Sequence, residues 1–301
     1  MEITRELIRG GLERARYITT DAVETVLYLA LVLEKPLLIE GPAGAGKTEI
    51  GKVLATTLGS ELIRLQCYEG LDEAKALYEW SYGKQMLYAQ LLRDKTADVL
   101  AKAPDLASAI ALLRDEADAF FSRDFLLPRP LLQAILSKKP VVLLLDEVDR
   151  SDEEFEAFLL EVLSDHQVSI PELGTLKAAS PPRVVLTSND TRELSDALRR
   201  RCLYAHVDYP SLEDEIRIVE ARVPGIGAAL TDRLVRFAQA LRKADLKKAP
   251  GIAEVVDWAL ALTVVGADAL SPAVLRKTLG ALLKNREDLE RVLAEPGRFR
   301  G

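Results

Sequence analysis

The sequence has very few of the residues that most hydrolytic and metal-dependent sites use. Of its 301 residues, only two are cysteines, Cys67 and Cys202, and two are histidines, His166 and His206. The cysteines are far apart and form no CxxC pair, which argues against a disulfide framework and a cysteine zinc site. The histidines lie in unlike surroundings, which argues against a His-rich metal site. We expect an enzyme of this composition to use carboxylates, lysine, arginine and backbone amides.

The chain also lacks an excess of positive charge and a hydrophobic run suited to a membrane. Its 40 Lys and Arg residues against 47 Asp and Glu residues give a net charge of −7. Because an acidic chain repels phosphate backbones, nucleic acid is not the expected partner. The apolar run 22–33 is too short to span a bilayer, and 252–270 contains three acids. Residues 1–16 are charged throughout and lack an apolar segment, so we expect no secretory signal and a cytoplasmic location.

Strand and helix patterns alternate as far as residue 210. Buried strands are predicted at 36–40, 140–146 and 183–189, an alternating strand at 61–67, and a final strand at 204–210. This alternation is typical of a parallel sheet with helices on both faces. After Pro210 the pattern is helical throughout. We therefore predict an α/β nucleotide-binding domain over 1–210 and a small all-α domain over 211–301.

Further local features complete this prediction. Two helices are expected within 3–33, a helix over 49–59 that Gly59 stops, and a mainly helical insertion over about 68–137. Ser151 and Glu154 form a capping-box pattern for a helix over 151–165. A hairpin is expected over about 167–179, with its turn at Leu173 and Gly174. Residues 192–200 predict a further short helix.

The segment GPAGAGKT at 41–48 matches the phosphate-loop pattern G-x-x-x-x-G-K-[ST] in full. Small residues let the backbone amides curl around a β-phosphate, and the following helix points its positive end at the same anion. Lys47 would reach the β- and γ-phosphates, and the Thr48 hydroxyl would ligate Mg²⁺. The alternative is a glycine-rich turn without a ligand, but the flanking strand and helix favour the functional interpretation. The predicted nucleotide-binding residues are Gly41, Pro42, Ala43, Gly44, Ala45, Gly46, Lys47, Thr48 and Glu49.

Two acids, Asp146 and Glu147, end the buried strand VVLLLD. Ligands of open α/β sheets bind at this end of the strands. Asp146 is therefore predicted to hold Mg²⁺, and Glu147 to orient or deprotonate an attacking water. Alone, such a pair is often no more than a polar strand exit. After a complete phosphate loop, the catalytic interpretation is favoured.

Asn189 and the run Arg199–Arg201 extend the candidate site. Asn189 ends the next buried strand, where its amide could hold the water or the γ-phosphate, although asparagine is also common in turns there. The three arginines could cap the helix before Cys202. They could instead provide an arginine finger that stabilises charge on the phosphoryl group in a neighbouring subunit. Arg201 is the favoured finger, and Arg200 is the next candidate.

With these residues in order, the chain resembles an AAA+ ATPase. It is similar to the MoxR-type group, and within it to the CoxD-like branch linked to maturation of carbon monoxide dehydrogenase. The resemblance covers nearly the whole chain, through GPAGAGKT, LLLDEVDR, SDHQVSIPELGTLKA, LTSND, LRRRC and VDYPSLEDEIRIVEARVPG. The first two motifs mark any P-loop ATPase. The hairpin and the helical lid, residues 211–301, narrow the resemblance to the AAA+ group.

The resemblance implies a P-loop αβα sandwich followed by the all-α lid, and ATP and Mg²⁺ as cofactors. It implies a homo-oligomeric ring, usually a hexamer, with ATP between subunits. It further implies remodelling of a client protein or insertion of its metal cofactor, often with a von Willebrand A-domain partner. It places the Walker A motif at 41–48, the Walker B acids at Asp146 and Glu147, sensor 1 at Asn189 and the finger at Arg201.

One departure concerns sensor 2, an arginine that many AAA+ lids carry at the start of their third helix. The corresponding stretch, APGIAEVVDW at 249–258, has no arginine, and Ala253 or Glu254 lies near the expected position. Either the lid contact to the γ-phosphate is lost, or Lys248 or Arg276 replaces it.

The start of the insertion is rich in aromatic residues. Tyr68, Tyr78, Trp80 and Tyr82 fall within fifteen residues of a chain that is 6% aromatic. They could grip a client protein, or they could pack the helices of the insertion.

Three alternatives to a client-remodelling ATPase remain open. A nucleic-acid AAA+ protein, related to clamp loaders or helicases, is disfavoured by the acidic balance. A P-loop kinase for a small molecule would need an acceptor pocket but no arginine from a neighbour. A nucleotide-gated scaffold would bind ATP with negligible turnover.

Overall fold

The computed structural model describes residues 2–100, 105, 108, 121–171 and 173–299. Its centre is a five-stranded sheet with the order β2-β5-β8-β1-β9. The strands are β1 (Leu37–Glu40), β2 (Glu61–Gln66), β5 (Val141–Asp146), β8 (Arg183–Ser188) and β9 (Leu203–His206). The pairs β1–β9, β2–β5 and β5–β8 are parallel. All six residues of β5 are buried, as a central parallel strand requires. The predicted α/β fold is confirmed.

Helices α1 (Arg5–Arg14), α2 (Asp21–Val32) and α3 (Lys47–Leu58) surround the first strand in sequence. The Thr4 and Thr20 side chains accept the first free amides of α1 and α2. Gly59 ends α3 in the left-handed conformation, with φ of 60°. The two helices expected within 3–33, and the stop at Gly59, are confirmed.

The described part of the insertion is mainly helical, as predicted, but it also contains a pair of short strands. It contains α4 (Glu73–Leu77), β3 (Tyr78–Trp80), α5 (Tyr82–Leu100), β4 (Leu126–Pro128) and α6 (Pro130–Leu136). Strands β3 and β4 form an antiparallel pair. Each has only three residues, too few to show a strand period within a Leu- and Ala-rich segment. The remainder of the predicted insertion, 101–104, 106–107 and 109–120, lies outside the described residues.

The helix after β5 starts two residues later than predicted and has a different cap. Helix α7 (Glu153–Asp165) is capped by Asp152, whose Oδ1 accepts the Phe155 amide at 2.9 Å. The Ser151 hydroxyl instead donates to the Val148 carbonyl at 2.8 Å. The predicted capping box of Ser151 and Glu154 is therefore wrong. A 3-10 turn at Val148–Arg150 occupies the chain before Ser151 and shifts the helix start.

The hairpin consists of β6 (Gln167–Ile170) and β7 (Gly174–Lys177). Leu173 donates its amide to Ile170 at 3.0 Å, and Gly174 has φ of +71°, so the turn lies where predicted. Helix α8 (Asp196–Arg199) is shorter than the predicted helix at 192–200. The Ser195 side chain caps it, while the Ser195 amide donates to Glu156 at 2.9 Å, which holds the preceding residues outside the helix.

The C-terminal helices are α9 (Leu212–Arg222), α10 (Ala228–Arg242), α11 (Ile252–Val264), α12 (Pro272–Leu282) and α13 (Arg286–Ala294), followed by a 3-10 turn at Pro296–Phe299. Their core centres on Trp258 and Phe237, whose ring centroids are 5.5 Å apart. The Trp258 indole donates to the Thr278 hydroxyl at 3.0 Å, which satisfies its buried N–H.

The chain divides into two compact units. The first comprises Met1–Gly59, Thr187–Asp190 and Leu203–Gly301, and the second comprises Ser60–Leu186 and Thr191–Cys202. The first unit thus contains the phosphate loop and the C-terminal helices, and the second contains the acidic end of β5. The domain boundary near residue 210 stays a prediction. Within the described ranges, no helix combines the length and apolarity needed to cross a membrane.

Candidate active site

The phosphate loop, residues 41–48, leaves β1 through a glycine that no other residue could replace without displacement. Gly41 has φ of +152°, and a Cβ built on it would lie 1.9 Å from the Val207 carbonyl oxygen. Val207 follows β9 and donates its amide to the Glu40 carbonyl at 2.8 Å. The parallel pairing of β1 with β9 therefore brings the backbone of residue 207 against the start of the loop.

Donors hold the carbonyl groups of the loop. The Lys47 ammonium donates to the carbonyls of Gly41 and Pro42 at 2.7 and 2.8 Å. The Ala43 carbonyl accepts from the Tyr209 hydroxyl at 2.7 Å, the Gly44 carbonyl from the Ile252 amide at 2.9 Å, and the Gly46 carbonyl from the Tyr17 hydroxyl at 3.4 Å.

These bonds orient the loop amides, because the C=O and N–H of one trans peptide point in opposite directions. Carbonyls held by Tyr209 and Tyr17 direct the next amides, those of Gly44 and Lys47, away from the tyrosines. The first turn of α3 follows at once, so its positive end adds to the same region. The Gly44 and Lys47 amides and the start of α3 therefore offer positive partial charge of the kind that binds a phosphate.

Lys47 and Asn189 lie together in the first unit. The Lys47 ammonium donates to the Asn189 Oδ1 at 2.8 Å, and Lys47 is 5% exposed. The structure thus brings together the lysine predicted to bind phosphate and the predicted sensor 1 residue. Glu49 is directed elsewhere, since its carboxylate pairs with Lys52 at 3.0 Å and lies 4.0 Å from Arg222. Thr48 is half-buried at the start of α3.

Sequence reasoning missed the two tyrosines that hold the loop. Burial raises the pKa of Tyr17 far above its usual range. Burial also raises the pKa of Tyr209, against the opposing effect of the Arg242 guanidinium. Both hydroxyls are therefore protonated at neutral pH and available as donors. No local pattern marks either residue, because their partners are 29 and 166 positions away.

In the second unit, Asp146 ends β5 with a buried carboxylate. Its Oδ2 accepts from the Arg64 guanidinium, through Nε at 3.1 Å and through Nη2. Arg64 lies on β2, opposite Leu144 in the parallel pairing, and also donates to Gln66 at 2.7 Å. The backbone carbonyl of Asp146 accepts the Cys67 amide at 2.8 Å. Burial, with three nearby acids, raises the pKa of the Cys67 thiol to about 12.

Glu147 stands in a sparsely populated backbone conformation. Its φ and ψ are 57° and 52°, the left-handed region that non-glycine residues rarely adopt. Its Oε2 accepts from the Arg150 guanidinium at 3.1 Å. Strain of this kind concentrates at functional sites, which fits the catalytic role predicted for Glu147.

A third acid, Asp149, ties this strand end to the segment after β8. Its Oδ2 accepts from the Thr191 amide at 3.0 Å and from the Thr191 hydroxyl at 2.6 Å. Asp149 is 3% exposed. The sequence analysis did not identify this residue, although it follows the two predicted acids within the same motif.

The candidate arginine fingers differ in how they are held. Arg201 donates to the Ser164 hydroxyl at 2.5 Å and to the Ala197 carbonyl at 3.0 Å. The Arg200 side chain is 82% exposed and lies 3.7 Å from Asp196. Both residues are exposed, and their assignment as a finger stays a prediction.

The aromatic residues of the insertion divide into a buried and an exposed group. Trp80 is 8% exposed and packs edge-on against Tyr78 and Phe121, with centroid distances of 5.7 and 5.3 Å. Tyr82 is 65% exposed and Tyr68 is 43% exposed. For Trp80, packing accounts for the residue.

At the predicted sensor 2 position, Glu254 accepts the Gly251 amide at 3.2 Å and so caps α11. Lys248 and Arg276 have exposed side chains, and a role for either one stays a prediction. The described residues contain no group of three or more His, Cys, Asp or Glu placed to hold a metal. The predicted Mg²⁺ ligands, Thr48 and Asp146, carry a hydroxyl and a carboxylate, which are ligand types that suit Mg²⁺, and their role stays a prediction.

Comparison with known proteins finds one family model that spans these motifs. The family described as AAA domain, dynein-related subfamily, matches residues 36–202, more than half of the chain. A point mutant of RuvB from Thermotoga maritima is 18% identical, with a TM-score of 0.51 over 88% of this chain and 70% of that one. A second T. maritima RuvB structure, described as a Holliday junction branch migration motor, is 17% identical, with a TM-score of 0.47 over 98% and 78% of the two chains. No curated protein sequence matches this chain.

Proposed function

The chain belongs to the AAA domain family, dynein-related subfamily, and from this we propose that it is a MoxR-type ATPase that remodels a client protein. Membership of the family makes the chain an ATPase that uses ATP and Mg²⁺. The proposal further assigns a role to each site residue and names a protein as the molecule on which the ATPase acts. The nucleotide-binding part of the proposal rests on the phosphate loop, where the Ala43 carbonyl accepts from the Tyr209 hydroxyl and the Lys47 ammonium donates to Asn189.

The chain's own residues take the following roles. The loop amides and the Lys47 ammonium bind phosphate oxygens, with the ammonium exchanging the carbonyls of Gly41 and Pro42 for the anion. Bound Mg²⁺ neutralises charge on the phosphates. The Thr48 hydroxyl and the Asp146 carboxylate are the residues that would hold this ion.

The remaining roles concern the attacking water and the phosphoryl group. Glu147 orients this water and accepts its proton, and Asn189 positions the water or the γ-phosphate. Arg201, or Arg200 in its place, stabilises the developing charge from a neighbouring subunit. This last role requires a homo-oligomeric ring, which we expect to be a hexamer.

The client role rests on the resemblance to the MoxR type and on charge. A net charge of −7 disfavours nucleic acid and is compatible with a protein partner. In the CoxD-like form of the proposal, the client is a metalloenzyme that receives its metal cofactor, and a von Willebrand A-domain protein assists. The exposed Tyr82 and Tyr68 of the insertion are candidate client contacts.

A trapped variant tests the client role. Glu147→Gln should bind ATP without hydrolysing it, and should retain a client protein in an ATP-dependent pull-down. Lys47→Ala is the matched control, because it should fail to bind ATP and retain nothing. Retention of the same protein by both variants, or by neither, would contradict the proposal. An ATPase rate raised several-fold by added DNA or RNA would favour the nucleic-acid alternative instead.

Mixing inactive subunits tests the shared site. Lys47→Ala subunits and Arg201→Ala subunits should each lack ATPase activity alone. In a mixture, an intact loop meets an intact arginine at some interfaces, so activity should recover. No recovery would favour a self-contained site, as in a small-molecule kinase. ATP turnover that is negligible in the native protein and unchanged in Glu147→Gln would favour a nucleotide-gated scaffold.

A further inference from the structure

Two adjacent carbonyls of the phosphate loop are held by the chain that follows β9. The Tyr209 hydroxyl donates to the Ala43 carbonyl at 2.7 Å. The Ile252 amide, at the start of α11, donates to the Gly44 carbonyl at 2.9 Å. The two backbones approach closely here, since a Cβ built on Gly251 would lie 2.7 Å from the Gly44 Cα.

Arg242 connects both of these donors. Its guanidinium carbon lies 4.4 Å from the centroid of the Tyr209 ring, and its Nε donates to the Pro250 carbonyl at 2.8 Å. Glu215 fixes the guanidinium through two bonds of 2.7 and 2.6 Å. The side chains of Arg242 and Glu215 are 7% and 0% exposed. We call Tyr209, Arg242 and residues 250–252 the lid contact.

The lid contact determines which side of the loop presents amides. With the Ala43 carbonyl bound to Tyr209, the Gly44 amide must point the opposite way, because both belong to one trans peptide. Rotation of this peptide would turn the carbonyl towards the phosphate site, where it would repel the anion. Gly44, with φ of +78°, has no side chain to hinder such a rotation, so an external bond has to prevent it.

We propose that Arg242 is a positioning residue that keeps the phosphate loop in its anion-binding conformation through Tyr209 and the start of α11. The lid contact therefore couples nucleotide affinity to the C-terminal helices through backbone carbonyls, in a chain whose 249–258 segment has no arginine. Coupling of this kind is reciprocal, so nucleotide binding also strengthens the lid contact. The inference depends on nucleotide binding and is independent of the proposed client.

A matched pair of glycine variants tests the close approach. Gly251 precedes α11 with φ of −83° and ψ of 179°, which alanine adopts without strain, so Gly251→Ala acts through its Cβ, which would lie 2.7 Å from the Gly44 Cα and 2.9 Å from the Glu254 carboxylate. Gly227 precedes α10 in the same way, with φ of −70° and ψ of 134°, and a Cβ there meets nothing within 4 Å. Gly227→Ala is therefore the control. The measurement is the Kd of a fluorescent ADP analogue, with the Tm of the nucleotide-free protein recorded alongside.

Gly251→Ala should raise the Kd of this analogue about tenfold, because one hydrogen bond from a correctly oriented amide to a charged phosphate contributes about that much to binding. Gly227→Ala should raise the Kd less than about twofold. Equal Kd values for the two variants would overturn the proposal. Tighter binding by Gly251→Ala would also overturn it, because the lid contact would then oppose nucleotide binding.

Two further variants each remove one hydrogen-bond donor to the loop and leave the glycines unchanged. They test the proposal if Gly251→Ala does not fold. Tyr209→Phe removes the hydroxyl and keeps the ring beneath Arg242. Ile252→Pro removes the amide at the first position of α11, where proline is well tolerated, and Ile252→Val keeps the amide as its control.

Tyr209→Phe and Ile252→Pro should each raise the KM for ATP by about threefold to tenfold, from the loss of one hydrogen bond, with kcat changed less than about twofold. Ile252→Val should resemble the native protein in both constants. A fall in kcat with KM unchanged, or in Tm with Kd unchanged, would reduce the lid contact to a purely structural role and refute the proposal.

Discussion

Around the phosphate loop, donors bind uncharged backbone oxygens, whereas at the end of β5 arginines bind carboxylates. Tyr17, Tyr209 and the Ile252 amide orient the loop, and a Cβ added at Gly41 or Gly44 would collide with neighbouring backbone. At the strand end, Arg64 pairs with Asp146 and Arg150 with Glu147. The loop is thus set in place by shape, while the acids are held by ion pairs that have to rearrange when a metal or water approaches. We therefore expect substitutions around the loop to act mainly by altering its packing and backbone conformation, and substitutions at the end of β5 to act by altering ion pairs.

The largest loss of stability is expected at the buried ion pair of Arg242 with Glu215, which supports the loop. Arg242→Met would leave Glu215 buried without its cationic partner, with the Gln239 amide still donating to it at 3.1 Å, at a cost of about 3–5 kcal/mol. Chemical denaturation of the nucleotide-free protein measures this cost. Arg236→Met, on the same helix, removes an exposed pair with Asp232 and should leave the denaturation midpoint nearly unchanged. Similar losses in the two variants would contradict the importance assigned to the buried pair.

Gly41→Ala should follow, at about 2–4 kcal/mol, because its Cβ meets the Val207 carbonyl at 1.9 Å and the backbone has to move. Nucleotide binding should be lost as well, as the loop starts at this residue. Gly174→Ala provides the comparison, since φ there is +71° but a Cβ meets nothing within 4 Å. It should cost about 1 kcal/mol through backbone strain alone. Thermal unfolding with and without ADP distinguishes the two.

Asp152→Ala, which changes the helix that follows the acidic end of β5, should lower stability by an intermediate amount. Loss of the side-chain cap of α7 costs about 1 kcal/mol, and Glu154→Gln less than about 0.5 kcal/mol, because Glu154 does not close a capping box. Denaturation midpoints compare the two variants. A larger loss for Glu154→Gln would restore the sequence-based assignment of the cap.

Arg64→Gln should affect stability least, by less than about 1 kcal/mol, because the arginine is 47% exposed. It should nevertheless lower the Mg²⁺ concentration for half-maximal nucleotide binding by about threefold, since the guanidinium competes with a cation for the Asp146 carboxylate. The measurement is a Mg²⁺ titration of fluorescent nucleotide binding. Arg150→Gln, which removes the arginine that pairs with Glu147 instead, is the control and should leave the titration midpoint unchanged. An unchanged or raised midpoint for Arg64→Gln would show that the Asp146 pair does not oppose the metal.

The five strands of the central sheet, most helices and the hairpin could be predicted because each has a local signal. An apolar run ending in acid identified β5, and glycine identified the end of α3 and the turn before β7. The cap of α7 could not be assigned correctly, because Ser151 and Asp152 are both suitable capping residues and the preceding 3-10 turn decides between them. Strands β3 and β4 were missed because a three-residue strand has almost no period.

The sequence by itself determined the chemistry of this protein. The spacing of GPAGAGKT and the acids after VVLLL require a phosphate loop and a carboxylate strand end, since small residues and strand ends act locally. Only the tertiary structure decided what holds these parts. Tyr17, Tyr209, Arg64 and Arg242 reach their partners across 29, 166, 82 and 27 positions. Such pairs arise when strands and helices pack, and a hydroxyl or guanidinium that supports a site then has the same local sequence signature as one that faces solvent.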